Sequence, residues 1–187
     1  MNGKRDVLAI PGRIGGPYTP WIMYPCDAAE NRGATIHRVH WTIDGDPLDI
    51  PADQRAGWVV EQVRPKLSGL DRPLLIGKSL GTHGALLASE MDLPAVWVTP
   101  LIAPGRWYGD AIVRALRRAT APCLLIGGTA DESWDGALAR ELSPHVFEAE
   151  GADHGLYVPG PLANSMAVMG EVVTAVERFL DEVVWPA

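Results

Sequence analysis

Gly77-Lys78-Ser79-Leu80-Gly81 is the stretch on which the reading of this chain turns. An apolar run, Pro73-Leu74-Leu75-Ile76, leads into it, and a helix-like segment, Thr82 to Glu90, leads out. A strand that passes through Gly-x-Ser-x-Gly into a helix turns so sharply that a side chain at either glycine would collide with its neighbours. The serine is held in a strained backbone conformation, which lifts its hydroxyl above the carboxyl ends of the strands. This is the sequence form of a nucleophile elbow. Gly77-Lys78-Ser79 also matches the end of a phosphate-binding loop. That loop needs a glycine where this chain has Arg72, with Pro73 beside it, and such a backbone cannot wrap a phosphate.

Outward from the elbow, short β-like runs alternate with helical segments. The strand candidates are Val7–Ile10, Thr35–Trp41, Leu74–Ile76, Ala95–Thr99, Cys123–Ile126 and His145–Ala149. Several are continuously apolar, as parallel strands covered on both faces are. The helix candidates are Pro20–Asn31, Ala52–Leu67, Thr82–Glu90, Tyr108–Arg118, Trp134–Leu142 and Leu162–Val184. In the last, Met166, Met169, Val173, Val176 and Leu180 recur at helical spacing and predict a core-facing stripe. Strand–helix alternation predicts a three-layer α/β sandwich: a parallel sheet with right-handed crossovers and helices on both faces. The loop Pro11–Pro20 follows the first strand, on the edge where such sheets bind ligands. The segment between Thr99 and Tyr108 is too short for a lid domain.

The 187 residues fit one domain, 1–187. The net charge of −7 argues against a nucleic-acid surface, which needs clustered Lys and Arg. No apolar run approaches membrane-spanning length, and the N-terminal stretch is cut by Pro11, Gly12 and Arg13, unlike a signal peptide. Cys26 and Cys123 make no disulfide framework, and Cys123 reads as a small buried hydrophobe. The expected setting is the cytoplasm. His37 and His40 lie at odd spacing on a strand, so they face opposite ways and cannot chelate one metal. His83 falls about one turn into the elbow helix, behind the serine. No Cys/His cluster has zinc spacing, so neither a metal nor a cofactor is expected.

A serine hydroxyl needs a base to take its proton and a carboxylate to orient that base. In this architecture the chain order is Ser, then Asp or Glu, then His. Gly127-Gly128-Thr129-Ala130-Asp131 follows the fifth strand candidate, and Gly151-Ala152-Asp153-His154-Gly155 follows the sixth. Both loops lie on the sheet edge that carries Ser79. Asp135 competes with Asp131 for the carboxylate, with Glu132 behind it. Asp153 adjoins His154, and adjacent loop side chains rarely face each other.

With these pieces and Ile10-Pro11-Gly12-Arg13 after the first strand, nearly the whole chain resembles the α/β-hydrolase superfamily. It is similar to small lidless members of the dienelactone-hydrolase-like and serine-esterase-like kind. The resemblance implies Ser79 as nucleophile, His154 as general base then acid, and Asp131 as orienting carboxylate. It implies an oxyanion hole from the backbone N–H of Leu80 and of Arg13, in a loop where family members usually carry His-Gly and this chain has Pro11-Gly12. The two antiparallel strands that open larger members have no counterpart, so the expected sheet is six-stranded and mostly parallel, in order 2-1-3-4-5-6. Trp21, Trp107 and Trp134 fall near strand carboxyl ends as possible pocket walls. The Arg13 side chain is a candidate partner for a substrate carboxylate.

The leading expectation is a serine hydrolase acting through an acyl-enzyme on carboxylic esters, thioesters or lactones. Absence of a lid points to small, soluble substrates as partners. Two alternatives stay open: the same triad used for carbon–carbon cleavage, acyl transfer or cyclisation, and a binding protein with a vestigial site.

Overall fold

Six strands make one sheet in the order β2-β1-β3-β4-β5-β6: β1 (Asp6–Ile10), β2 (Thr35–Arg38), β3 (Leu74–Lys78), β4 (Ala95–Val98), β5 (Cys123–Gly128) and β6 (His145–Ala149). The computed structural model describes residues 4–105 and 110–186. All five strand pairings are parallel, so the sheet is uniformly so rather than mostly so. The order is the expected one. Among the described residues five α-helices connect the strands, α1 (Pro20–Glu30), α2 (Arg55–Val63), α3 (Ala85–Met91), α4 (Asp110–Arg118) and α5 (Gly136–Leu142), and α6 (Leu162–Phe179) follows the last strand.

Strand periodicity divides the core in two. Val7, Ala9, Leu74, Ile76, Val96 and Val98 point to the face covered by α1 and α6. Leu8, Ile10, Leu75, Ala95, Trp97 and Leu125 point to the face covered by α2, α3, α4 and α5. Every residue of β1, β4 and β5 is buried, which is why these strands read as unbroken apolar runs. Arg32, just past α1, pairs with Glu177 at 3.3 Å and Asp181 at 2.6 Å, tying that end of the chain to the C-terminal helix. Both cysteines are free and buried. Among the described residues no helix is long and apolar enough to cross a membrane.

Several boundaries differ from the sequence expectations, each for a local reason. β2 stops at Arg38 instead of Trp41. Val39 N–H still reaches the Ala9 carbonyl at 2.9 Å, but the next donor on β1 would be Pro11, which has no N–H. The predicted helix 52–67 is a 3₁₀ turn, α2, then a second 3₁₀ turn that carries Pro65. The elbow helix opens with a 3₁₀ stretch, Ser79–Gly84, before α3 begins. In α6 the buried stripe runs through Met169, Val172, Val176 and Phe179, and Met166 is 53% exposed instead of facing the core.

Candidate active site

β3 ends at Lys78, and Ser79 takes φ of +50°, a left-handed conformation that a non-glycine residue adopts only where the surroundings force it. The flanking glycines are required by close approach. A Cβ on Gly77 would stand 2.5 Å from the Trp97 ring, and one on Gly81 would stand 2.4 Å from the Ile10 carbonyl oxygen. Thr82 Oγ1 donates to the Ser79 carbonyl at 2.6 Å and fastens the turn.

Three side chains from three strand ends meet at this point. Ser79 Oγ lies 2.8 Å from His154 Nε2, and His154 Nδ1 lies 2.8 Å from Asp131 Oδ2. A carboxylate only accepts, so Nδ1 carries the proton, and Nε2 is left to accept from the serine hydroxyl. Asp131 is buried, and its other oxygen accepts the Ser133 N–H at 2.8 Å. Asp135 is engaged elsewhere: it caps α5, accepting the Leu138 N–H at 2.9 Å. Glu132 is exposed. Asp153 Oδ1 accepts the N–H groups of Gly155 and Tyr157 at 2.7 and 2.9 Å, so it shapes the loop that carries His154.

Leu80 and Arg13, the expected oxyanion donors, both line the cleft beside Ser79. The loop of Arg13 is held close by Gly12, where a Cβ would come 3.7 Å from Ser79 Cβ. Trp41 Nε1 donates to the Gly12 carbonyl at 2.9 Å and secures that loop from outside. The Arg13 guanidinium is occupied by Asp46, with Nε–Oδ1 at 2.8 Å and Nη2–Oδ2 at 2.6 Å. The candidate role of this side chain toward a substrate carboxylate therefore competes with a bidentate partner already in place.

Of the three tryptophans considered as pocket walls, Trp21 lines the cleft. Trp134 does not. Its ring packs over Gly127 and its Nε1 donates to Glu148 at 2.6 Å, which makes it part of the core on the α5 side. Trp107 lies outside the described residues.

Two further groups take places in the site that the sequence did not assign them. Lys78, inside the elbow motif, turns its Nζ inward, donating to Thr99 Oγ1 at 3.0 Å and to the His154 carbonyl at 3.1 Å. Burial pulls its pKa down to about 8, against the opposing charges of Asp131 and Asp153. Only the position of Lys78 next to the nucleophile could have signalled this. His83 is buried, lines the cleft, and leaves Nδ1 without a hydrogen-bond partner. Burial, helped by the Arg55 charge, lowers its pKa to about 4, so the ring is neutral at physiological pH. His37 binds Asp6 at 2.8 Å and His40 packs at a tilt against Tyr18, both away from the cleft. Among the described residues no group of three or more His, Cys, Asp or Glu side chains is arranged to hold a metal ion.

The cleft over Ser79 encloses about 800 Å³. A buried carboxylate, an oriented imidazole and a strained serine at its floor form an arrangement able to activate a hydroxyl for attack on a carbonyl.

No protein-family model matches the chain, and no curated protein matches it in sequence. Solved structures do. Est1E from Butyrivibrio proteoclasticus, in a structure with ferulic acid bound, superposes with a TM-score of 0.70 at 16% identity over 97% of this chain and 90% of that one. An alpha-beta serine hydrolase homologue from Coxiella burnetii gives 0.64 at 16% identity, over 96% of this chain and 88% of that one. A serine hydrolase without lid from Xanthomonas campestris gives 0.54 at 19% identity, over 94% and 81%. The chain has the α/β-hydrolase fold.

Proposed function

We propose that this protein is a serine hydrolase that cleaves carboxylic esters, thioesters or lactones through an acyl-enzyme. The observation that supports it most is the unbroken hydrogen-bonded path Ser79–His154–Asp131, at 2.8 Å for each link, at the floor of an open cleft. In this reading the Ser79 hydroxyl attacks the carbonyl carbon while its proton passes to His154 Nε2. The imidazolium is stabilised by Asp131 across Nδ1. The oxyanion is met by the backbone N–H groups of Leu80 and Arg13, an effect of roughly 3–4 kcal/mol per donor. Collapse of the tetrahedral intermediate breaks the bond to the leaving oxygen or sulfur, which takes the proton back from His154. Water then enters, gives its proton to the same nitrogen, and releases the acid and the free serine.

The test is covalent labelling. Diisopropyl fluorophosphate should modify one residue, Ser79, with loss of esterase activity, and Ser79→Ala should lower kcat by a factor on the order of 10⁴–10⁶. An unlabelled wild-type protein, or an alanine variant near wild-type activity, would end this reading.

A further inference from the structure

Exposed apolar side chains scattered singly over a surface carry no message; gathered around one opening, they do. Eight large hydrophobic side chains are exposed among the described residues. Six of them, Ile14, Tyr24, Leu48, Tyr157, Leu162 and Met166, line the cleft above Ser79. They come from separate parts of the chain: the loop after β1, helix α1, the segment after β2, and the stretch from the His154 loop into α6. Ile14 is 74% exposed and Leu162 64%.

Charge narrows the ligand further. Among the described residues no Asp or Glu lines the cleft. The three Arg and Lys residues that line it among the described residues are already engaged by the protein: Arg13 by Asp46, Arg55 by the carbonyls of Leu48 and Ile50, and Lys78 by Thr99 and the His154 carbonyl. His83 is neutral at working pH. A volume of about 800 Å³ lies in the range that encloses drug-sized ligands, and a short acyl group would leave most of the apolar wall in water.

Building on the hydrolase reading, we infer that the substrate is a neutral ester or thioester with a large apolar arm, an alkyl chain of about eight carbons or an aryl group of similar size. Ile14, Leu162 and Met166 select that arm. This departs from the small, soluble substrate that absence of a lid suggests: the rim itself is the apolar surface, and the substrate's own arm covers it.

The test is a series of p-nitrophenyl esters from acetyl to octanoyl, run beside acetate esters of ethanol to octanol. The first arm places the apolar group on the acyl side and the second on the alcohol side. Burial of each methylene predicts a gain of about twofold to fourfold in kcat/KM, so one of the two series should rise at least about 50-fold from its shortest to its longest member. Replacing the terminal methyl of the preferred substrate by a carboxylate should cost tenfold or more. Leu162→Ser and Met166→Ser, both at exposed positions that the fold does not need, should each lower the longest-to-shortest selectivity ratio of the rising series about tenfold. If Ser79 is labelled by diisopropyl fluorophosphate but both series are flat or falling, the inference is overturned and the hydrolase reading stands. If Ser79 is not labelled and no ester is turned over, both fall.

Discussion

Replacing Lys78 by methionine should make this protein slower without making it markedly less stable. The lysine ammonium is partly buried between the ends of β3 and β4 and the His154 loop, where it donates to Thr99 Oγ1 at 3.0 Å and to the His154 carbonyl at 3.1 Å. Holding a charge there has a cost. Lowering the pKa from 10.5 to about 8 corresponds to roughly 3 kcal/mol against the charged form at neutral pH. Methionine has nearly the same length and no charge, so it removes that cost. It also strips two acceptors of their donor, at about 1–3 kcal/mol. The two effects nearly cancel, and urea denaturation at pH 7 should show a stability within about 2 kcal/mol of wild type. The pH dependence gives the sign. The unfolded chain holds the Lys78 proton up to the ordinary value of 10.5, whereas the folded protein releases it near 8. Between those values the unfolded state binds more protons, so this group adds stability as pH rises through the window. The variant should lack that rise. Catalysis should respond differently. The loop that carries the base loses its tether, and the Asp131–His154 pair loses a nearby positive charge, so kcat should fall about 10- to 100-fold. A variant destabilised by more than about 4 kcal/mol with kcat intact would refute the reasoning and make Lys78 a structural residue.

Two further outcomes follow from the same geometry. Asp131→Asn should lower kcat about 10⁴-fold by stranding the wrong tautomer of His154. Asp135→Ala should leave kcat within twofold and cost about 1 kcal/mol in denaturation, because Asp135 caps α5. His83 is held neutral by burial with a pKa of about 4, against 6.5 in an unfolded chain. Its contribution is therefore fully present above pH 6.5 and lost as pH falls toward 4. His83→Leu should flatten the acid limb of a stability profile measured between pH 6.5 and 4.5; an unchanged limb would mean the ring is not the group that titrates there.

The order of strands could be read because parallel strands covered on both faces are unbroken apolar runs, and because strand–helix alternation leaves few topologies. Ser79 and Asp131 could be nominated because each follows such a run, and His154 because it follows the mixed, half-buried strand β6 on the same sheet edge. What stayed hidden were the groups whose meaning depends on the third dimension. Trp134 sits near a strand end in sequence, yet the bare backbone of Gly127 leaves a hollow that its ring fills, which draws it into the core. The choice between Asp131 and Asp135 turns on a single turn of chain: Asp131 precedes a loop and Asp135 begins a helix, and only the capping geometry separates them. Met166 follows the periodicity of a core residue, but the buried stripe of α6 is phased through Ser165, Met169 and Val172, which turns Met166 toward the cleft instead. The inward turn of Lys78 was equally hidden. Its inward course depends on Thr99 and on the His154 carbonyl, contributed by two other loops.

The three side chains at the floor hang from β3, β5 and β6, and 75 positions of sequence separate the hydroxyl from the imidazole. During synthesis at about 5–20 residues per second, the ribosome therefore exposes the serine roughly 4–15 seconds before its base exists. The closing helix, which seals the same sheet face as α1, arrives later still. In the proposed mechanism a half-made chain is thus an unarmed one: its serine stays an ordinary hydroxyl until the last strand brings the imidazole to it.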